Sequence, residues 1–313
     1  MLSLLLSTLL TFVEFNCENL FDTKHDSLKQ DTEYLPTATR RWTEKRYWHK
    51  QNSIAKTILS TIDDGVPDLV ALCEIENEQT MIDLTRRSLL RNAGYNYVVT
   101  DSPDQRGIDV ALLYQPLRFA LISSHSLRVP VVENMRPTRD ILYACGRLSS
   151  GDTLHVYVVH APSRHGGEQY SRPFRMATAE RLCQSLDSLF DISSQACVLI
   201  AGDFNDYADS PALQVIGKHG VSSITRGVQG QNGVYGTYRY KGEWDSLDHI
   251  FGSKSICEKI DTTYIHAPRF LLEEDNEYGG YRPRRTYNGM RYQRGYSDHL
   301  PLVVRIRKNH LSE

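Results

Sequence analysis

Apolar and polar residues alternate with a period of two along many short segments, which is typical of β-strands that bury one face. We predict strands over residues 11–16, 68–74, 95–100, 108–114, 119–128, 141–148, 154–161, 198–202, 236–240, 246–252 and 301–306. No internal repeat, low-complexity linker or break in composition divides this series. The strands are therefore expected to belong to one domain.

Apolar residues recur at helical spacing in three other segments, which we predict to be helices. The predicted N-caps are Thr43, Asn77 and Ser171, and Pro173 would lie in the first turn of the third helix. The helices are expected to run to about residues 62, 92 and 190. Many strands with few helices favour two packed sheets with the helices outside.

The composition supports a folded chain with a sizeable core. Of the 313 residues, 40% are hydrophobic and 24% are charged, which excludes an intrinsically disordered chain. The net charge of -2 provides no overall positive field, so nucleic acid would have to be met by a local patch. The six cysteines lie far apart with no metal-finger spacing, and we expect buried, reduced thiols.

The first residues of the chain bear on its compartment. Residues 1–13 carry no charge and resemble the apolar core of a signal peptide, but they are too short to span a bilayer. No basic residue precedes Lys24, and no small-residue cleavage site follows. We predict a single domain over 11–308 with an apolar lead-in over 1–10, and a cytoplasmic protein. Export is the alternative if residues 1–13 derive from a signal peptide.

Polar side chains cluster where the predicted strands begin and end, where a sandwich builds its sites. Each alone is typical of a turn or cap, but the set contains carboxylates, histidines and asparagines together. Hard oxygen ligands suit Mg²⁺, Mn²⁺ or Ca²⁺ rather than zinc. No zinc-protease, nucleophile-elbow or phosphate-loop motif competes with this interpretation. The candidates are Asn16, Glu74, Arg139, His160, Asp203, Asn205, Asp248, Asp298 and His299.

The order of the motifs FNCEN, EIEN, HAPS, GDFND, LDH and SDH resembles the endonuclease/exonuclease/phosphatase superfamily, from about residue 11 to 306. This superfamily includes pancreatic deoxyribonuclease, abasic-site endonucleases, bacterial sphingomyelinases and inositol polyphosphate 5-phosphatases. The resemblance implies an α/β fold, a four-layered sandwich of two mixed β-sheets packed face to face with helices outside. It also implies a divalent metal ion, Mg²⁺ or Mn²⁺.

The resemblance further implies a role for each matching residue. Glu74 would be the principal metal ligand, Asn16 would support the metal and the phosphate, and Asp298 would lie near the metal. The abasic-site branch uses a tyrosine where this chain has His160, which places the chain nearer the deoxyribonuclease and sphingomyelinase branches. Arg139 resembles an arginine that contacts phosphate in the deoxyribonuclease branch.

The remaining implied roles concern the hydrolysis itself. His160 would donate a hydrogen bond to a phosphate oxygen, and Asn205 would hold the scissile phosphate. Asp203 would orient the attacking water, and Asp248 would pair with His299. The sequence leaves open whether Asp203 or His299 takes the proton from water.

Two basic stretches rich in aromatic residues, 38–50 and 281–296, could select the substrate. The second leads directly into Asp298, and its Arg284, Arg285 and Arg291 are predicted to bind substrate phosphates. The alternative for both stretches is a solvated loop stabilised by cation–π contacts.

These observations together predict a divalent-metal-dependent hydrolase of phosphodiester bonds, with a nuclease as the leading hypothesis. The alternative is a phosphatase or phosphodiesterase acting on a small or lipid-headgroup phosphate. A non-catalytic binding protein is disfavoured because every catalytic position is filled. The predicted partner is a phosphate-ester substrate such as nucleic acid, and we expect a monomer without stable membrane insertion.

Overall fold

The alternating segments form two six-stranded β-sheets in the computed structural model, which describes residues 9–307. In spatial order, the first sheet consists of β13 (Ile260–Ile265), β18 (Leu302–Arg307), β1 (Leu9–Leu20), β2 (Leu69–Ile75), β4 (Asp109–Tyr114) and β3 (Asn96–Val99). The second consists of β5 (Phe119–Leu127), β6 (Ile141–Leu148), β7 (Thr153–His160), β8 (Cys197–Asp203), β12 (Asp248–Ser253) and β9 (Val221–Ser223). The predicted lead-in over 1–10 lies outside the described residues except for its last two positions.

Both sheets are mixed, as the predicted sandwich requires. Each contains one parallel pair, β1–β2 in the first sheet and β7–β8 in the second, and its other strand pairs are antiparallel. Three small hairpins lie outside the sheets. They are β10–β11 (Tyr238–Tyr240 and Glu243–Asp245), β14–β15 (Leu272–Glu274 and Tyr281–Pro283) and β16–β17 (Tyr287–Asn288 and Arg291–Tyr292).

The helices flank the sheets and differ in part from the sequence prediction. They are α1 (Glu44–Leu59), α2 (Glu78–Ile82) with a π-helical turn at Asp83–Arg87, α3 (Glu168–Ile192), α4 (Pro211–Ile216) and α5 (Lys254–Cys257), with 3₁₀ turns at Thr32–Tyr34 and Arg269–Leu271. The second helix ends early because the backbone becomes extended at Ser88, whose hydroxyl bonds to Leu84 and Leu90. The third begins one turn before Ser171, whose hydroxyl donates to the Gly167 carbonyl instead of capping.

Three apolar layers separate the four layers of secondary structure. Along β1, Leu10 and Phe12 face the other sheet, whereas Val13 and Phe15 pack under α1. On the other side, α3 and α4 cover the outer face of β7 and β8. The period-two alternation therefore assigns each strand residue either to the layer between the sheets or to a helix-covered layer.

Several strands escape the sequence prediction because they lie at edges or in short hairpins. β13 is an edge strand whose Asp261 and Thr262 are exposed, so its apolar alternation is weak. The six cysteines are free thiols, as expected, and four of them are buried. Over residues 9–307, no helix has the length and apolar character needed to cross a membrane.

Candidate active site

The polar residues continue the rows of side chains that fill the layer between the sheets. On β7, the inward residues Leu154, Val156 and Val158 are followed at the same spacing by His160. On β8, Leu199 and Ala201 are followed by Asp203, and the register pairs Asp203 with His160 on one side and Asp248 on the other. The last inward-facing residues of β7 and β8, His160 and Asp203, therefore lie together at one end of the sandwich.

Glu74 reaches the same place by a different route. Its neighbour Cys73 faces the layer between the sheets, so simple alternation would turn Glu74 away. The pairing register of β2 shifts between Cys73 and Ile75, and Glu74 adopts a φ of 62°. A left-handed backbone in a non-glycine residue is strained, and here it accompanies a carboxylate at the edge of the cleft. Glu74 Oε2 accepts a hydrogen bond of 2.7 Å from the Asn19 backbone amide.

Asp203 lies at the centre of the cluster and is nearly fully buried. Its carboxylate accepts hydrogen bonds from the Asn16 side chain at 2.9 Å and from the Asn205 backbone amide at 2.8 Å. The Nε2 atoms of His160 and His299 lie 3.6 and 4.0 Å from Asp203 Oδ2. Burial and the nearby Asp248 carboxylate raise the pKa of Asp203 to about 7.

Asp248 and His299 form the predicted pair. His299 Nδ1 and Asp248 Oδ2 are 2.7 Å apart, and Thr237 donates to the same oxygen. The Tyr238 ring lies 5.1 Å from the His299 ring, between centroids. Burial alone would lower the pKa of His299, but the carboxylates of Asp248, Asp203 and Asp298 outweigh it and hold the pKa well above its usual value. These carboxylates therefore favour the cationic form of His299.

His160 has the opposite electrostatic character. Burial, followed by the positive charges of Arg139 and Arg106, holds the pKa of His160 well below its usual value. Its Nδ1 has no hydrogen-bond partner among the described residues. A neutral imidazole at the floor of the cleft can donate a hydrogen bond to a phosphate oxygen without carrying a charge.

Arg139, which the sequence predicts to contact phosphate, is buried, and its side chain stabilises the loop after β7. It donates to the carbonyls of His160 and Ala161 and pairs with Asp104 at 3.1 Å. With these donors engaged, its contact with substrate remains a prediction.

We expect Arg139→Ala to lower the free energy of unfolding by about 3 kcal/mol, because it leaves the Asp104 carboxylate buried and unpaired. Urea unfolding measures this loss. The comparison variant is Arg147→Ala, which removes an exposed arginine from β6 and should change stability by less than about 0.5 kcal/mol. Equal stabilities for the two variants would contradict a bracing role.

Asp298 and the predicted substrate-binding arginines are only partly brought together. Arg285 donates to Asp298 Oδ2 at 2.6 Å and lies 3.7 Å from Glu18 Oε1. Arg284 is half-buried directly after β15, and Arg291 is exposed on β17. Neither Arg284 nor Arg291 lines the cleft around Asp203.

The two basic stretches pack against each other, as the cation–π alternative predicts for several of their members. Arg40 stacks over Tyr287 at 5.1 Å, and Arg46 stacks over Tyr292 at 4.5 Å. Lys50 is buried, with its ammonium 3.3 Å from Glu18 Oε2. These three cations stabilise the fold and are already engaged with residues of this chain.

The cluster opens into a cleft of about 750 Å³, called here the active cleft. Glu74, His160, Asp203, Asn205, Asp298 and His299 line it. Its rim contains cations that sequence reasoning did not assign to the site, namely Arg106 and Lys241, together with Tyr238 of the β10 hairpin. Arg106 donates to Asn19 at 2.6 Å and lies 3.8 Å from Glu74. Its position in a loop between strands gave no sequence signal for this role.

Glu14 is a further buried acid that the sequence analysis overlooked. It follows Phe12 on the inward face of β1 and is fully buried. Neither of its oxygens accepts a hydrogen bond among the described residues. Burial, followed by the charges of Asp248 and Asp203, raises the pKa of Glu14 well above its usual value and so favours the neutral carboxyl. In the sequence, the role of Glu14 is indicated only by the presence of an acidic residue at an inward-facing position of β1.

The donor set of the cleft fits a hard divalent cation. Glu74 Oε1 accepts no hydrogen bond among the described residues, although Arg106 lies 3.8 Å from it, and the carboxylates of Asp203 and Asp298 line the same cleft. A second arrangement lies deeper, where ligand atoms of Asp203, Asp248 and His299 lie within 4.8 Å of one another. In that group Asp248 Oδ2 is shared by His299 and Thr237, whereas Asp248 Oδ1 has no hydrogen-bond partner among the described residues, so this group could also hold a metal ion.

The sequence profile of the endonuclease/exonuclease/phosphatase family matches residues 11–308. No curated protein sequence matches the chain at a significant level.

Three solved structures illustrate the similarity of fold. An endonuclease/exonuclease/phosphatase family protein from Bacteroides thetaiotaomicron has a TM-score of 0.64 at 14% identity, covering 96% of this chain and 98% of that one. A mannosyl-6-phosphatase from the same organism has a TM-score of 0.63 at 15% identity, covering 94% and 98%. The catalytic domain of human nocturnin, with a bound sulfate anion, has a TM-score of 0.59 at 19% identity, covering 95% and 94%.

Proposed function

The chain belongs to the endonuclease/exonuclease/phosphatase family, whose members are metal-dependent phosphoesterases, and we propose that it hydrolyses the phosphodiester bonds of nucleic acid. The observation that carries the hydrolysis of a phosphate ester is the convergence of His160, Asp203, Asp248 and His299 within one cleft, from segments far apart in sequence. His160 provides a neutral hydrogen-bond donor, Asp203 a buried carboxylate and His299 a cationic imidazole. Groups of these kinds promote the in-line attack of water on a phosphate ester.

The protonation states assign different tasks to Asp203 and His299. Asp203, with a pKa near 7, is suited to accept a proton from the attacking water at neutral pH. His299 already holds its proton, and we propose that it stabilises the negative charge that develops on the phosphate oxygens. Asn16 and Asn205 fix the Asp203 carboxylate through hydrogen bonds, and His160 donates to a phosphate oxygen.

We propose Glu74 as the principal ligand of a Mg²⁺ or Mn²⁺ ion, with Asn16 and Asp298 beside it. When bound, the ion would act as a Lewis acid on the phosphate. Asn16 is held by Asp203 and by the Glu18 amide, and Asp298 by Arg285, so both enter the site in fixed orientations. Arg106, 3.8 Å from Glu74, would add positive charge for an anionic substrate.

The test of the proposal is hydrolysis by the purified protein of plasmid DNA, single-stranded DNA, RNA and small phosphate esters, with Mg²⁺ or Mn²⁺ and with chelator. We expect metal-dependent cleavage of at least one polynucleotide. Turnover of phosphomonoesters alone would overturn the nuclease proposal in favour of the second candidate.

That second candidate is a phosphatase or phosphodiesterase acting on a small or lipid-headgroup phosphate. It is favoured by one observation: Arg40, Arg46 and Lys50, which could have tracked a polynucleotide, are engaged with tyrosines or Glu18 of this chain. Fewer cations are then left to follow a long phosphate backbone.

Substitution of the arginines in residues 281–296, in two groups, distinguishes a nuclease from an enzyme that acts on a small phosphate ester. Replacing Arg284 and Arg291 together by alanine should weaken DNA binding and lower the slope of log K against log salt by roughly 1.4–1.8, since two phosphate contacts disappear. Replacing Arg285 releases Asp298 and should reduce turnover of a small diester such as methyl p-nitrophenyl phosphate as well. An unchanged salt slope for the double variant would remove the polynucleotide role of this stretch.

A further inference from the structure

A second cavity adjoins the active cleft and has no part in the hydrolysis described above. Its volume is about 450 Å³, within the range of small-ligand pockets, and we call it the side cavity. Arg106 and Ser163 line both spaces, so the two are neighbours. A substrate whose phosphate lies beside Glu74 would have to pass Arg106 to enter the side cavity.

The walls of the side cavity combine aromatic and cationic groups. Tyr170 and Phe174 project from the first turns of α3, with ring centroids 5.3 Å apart, and about half of Tyr170 is exposed. Met135 lines the cavity nearby and is buried. Exposed aromatic rings in a partly apolar cavity are suited to stack on a planar ring.

The charge of the side cavity is positive. Arg136 is exposed and makes no ion pair, hydrogen bond or ring contact with the described residues. The one acidic residue in the lining, Asp104, is neutralised by Arg139 at 3.1 Å. Arg106 and Arg136 are therefore the cations that an anionic group of a ligand would meet.

We propose that the side cavity binds the nucleotide unit next to the scissile phosphate, with the base on Tyr170 and its phosphate at Arg136 and Arg106. The inference rests on the proposed function and makes it more specific, since only a diester carries a group on the far side of the scissile phosphate. The enzyme would then prefer oligonucleotides to small diesters and to monoesters.

Calorimetric binding of a 5′-phosphorylated thymidine dinucleotide tests the proposal, with chelator present to prevent hydrolysis. We expect Arg136→Ala to weaken binding about tenfold and Tyr170→Ala to weaken it by a similar factor. Binding of an abasic analogue with the same phosphates should be weakened by Arg136→Ala and unchanged by Tyr170→Ala. The matched control is Arg147→Ala, an exposed arginine on β6 outside both cavities, which should bind like the wild type.

The melting temperature of each variant separates ligand binding from folding, since the proposal predicts weaker dinucleotide binding with no loss in melting temperature. Wild-type dinucleotide affinity in both Arg136→Ala and Tyr170→Ala would overturn the side-cavity assignment. Failure of the wild type to hydrolyse any diester with Mg²⁺ would instead overturn the proposed function, and it is a separate measurement.

Discussion

Asp203→Asn should reduce kcat/KM about 10³-fold, because it removes the carboxylate that we propose as the general base. The substitution keeps the size of the side chain at the centre of the cluster, where Asn16, His160 and His299 all approach it. Hydrolysis of methyl p-nitrophenyl phosphate in saturating Mg²⁺ measures the loss. Circular dichroism and the melting temperature establish that the variant is folded.

The matched control for this prediction is Asp245→Asn. Asp245 also lines the active cleft, but it is exposed and lies at the end of β11, away from the buried cluster. The Asp245→Asn substitution removes one negative charge from the same cleft. It should change kcat/KM by less than about threefold, as expected for an exposed charge. Retention of a tenth or more of the wild-type rate by Asp203→Asn would exclude Asp203 as the proton acceptor.

Glu74→Gln should abolish hydrolysis at Mg²⁺ concentrations that saturate the wild type, with a loss of about 10³-fold or more, because an amide is a much weaker ligand than a carboxylate. Gln keeps an oxygen for the hydrogen bond from the Asn19 amide. Metal binding can be measured without turnover: Mg²⁺ at about 100 times its Kd should stabilise the wild type by about 2.7 kcal/mol. In Glu74→Gln this stabilisation should be absent at the same concentration.

Glu76→Gln provides the control for the metal prediction. Burial raises the pKa of Glu76 to about 8, so this carboxyl is largely protonated at pH 7 and its replacement by Gln changes little charge. We therefore expect the Mg²⁺-dependent stabilisation to survive in this variant. If chelator leaves the wild-type rate unchanged, or if Mg²⁺ stabilises Glu74→Gln as strongly as the wild type, the metal assignment fails.

Most of the site could be anticipated because strand periodicity determines which face a residue occupies. His160, Asp203 and Asp248 each continue an inward row of apolar residues, so a pattern that predicts a buried face also predicts a shared location. Glu74 could not be placed in this way. Its orientation depends on a register shift and a left-handed backbone conformation, which neither apolar periodicity nor residue type reveals.

The two basic stretches were harder to interpret because basic and aromatic side chains can contact either a substrate or other residues of the same chain. Arg46 on Tyr292 and Lys50 beside Glu18 are internal contacts between segments far apart in sequence. Only the fold brings those segments together. Arg106 and Arg136 present the converse case, since they lie in loops without a motif and acquire significance from the cavities that the fold forms around them.

The position of β18 has a consequence for the synthesis of the enzyme. β18 inserts between β1 and β13, and the residues that lead into it supply Asp298 and His299. A ribosome-bound chain that has not yet released this strand lacks the cationic imidazole and leaves one edge of β1 unpaired. We therefore expect a nascent chain to be inactive until β18 docks against β1.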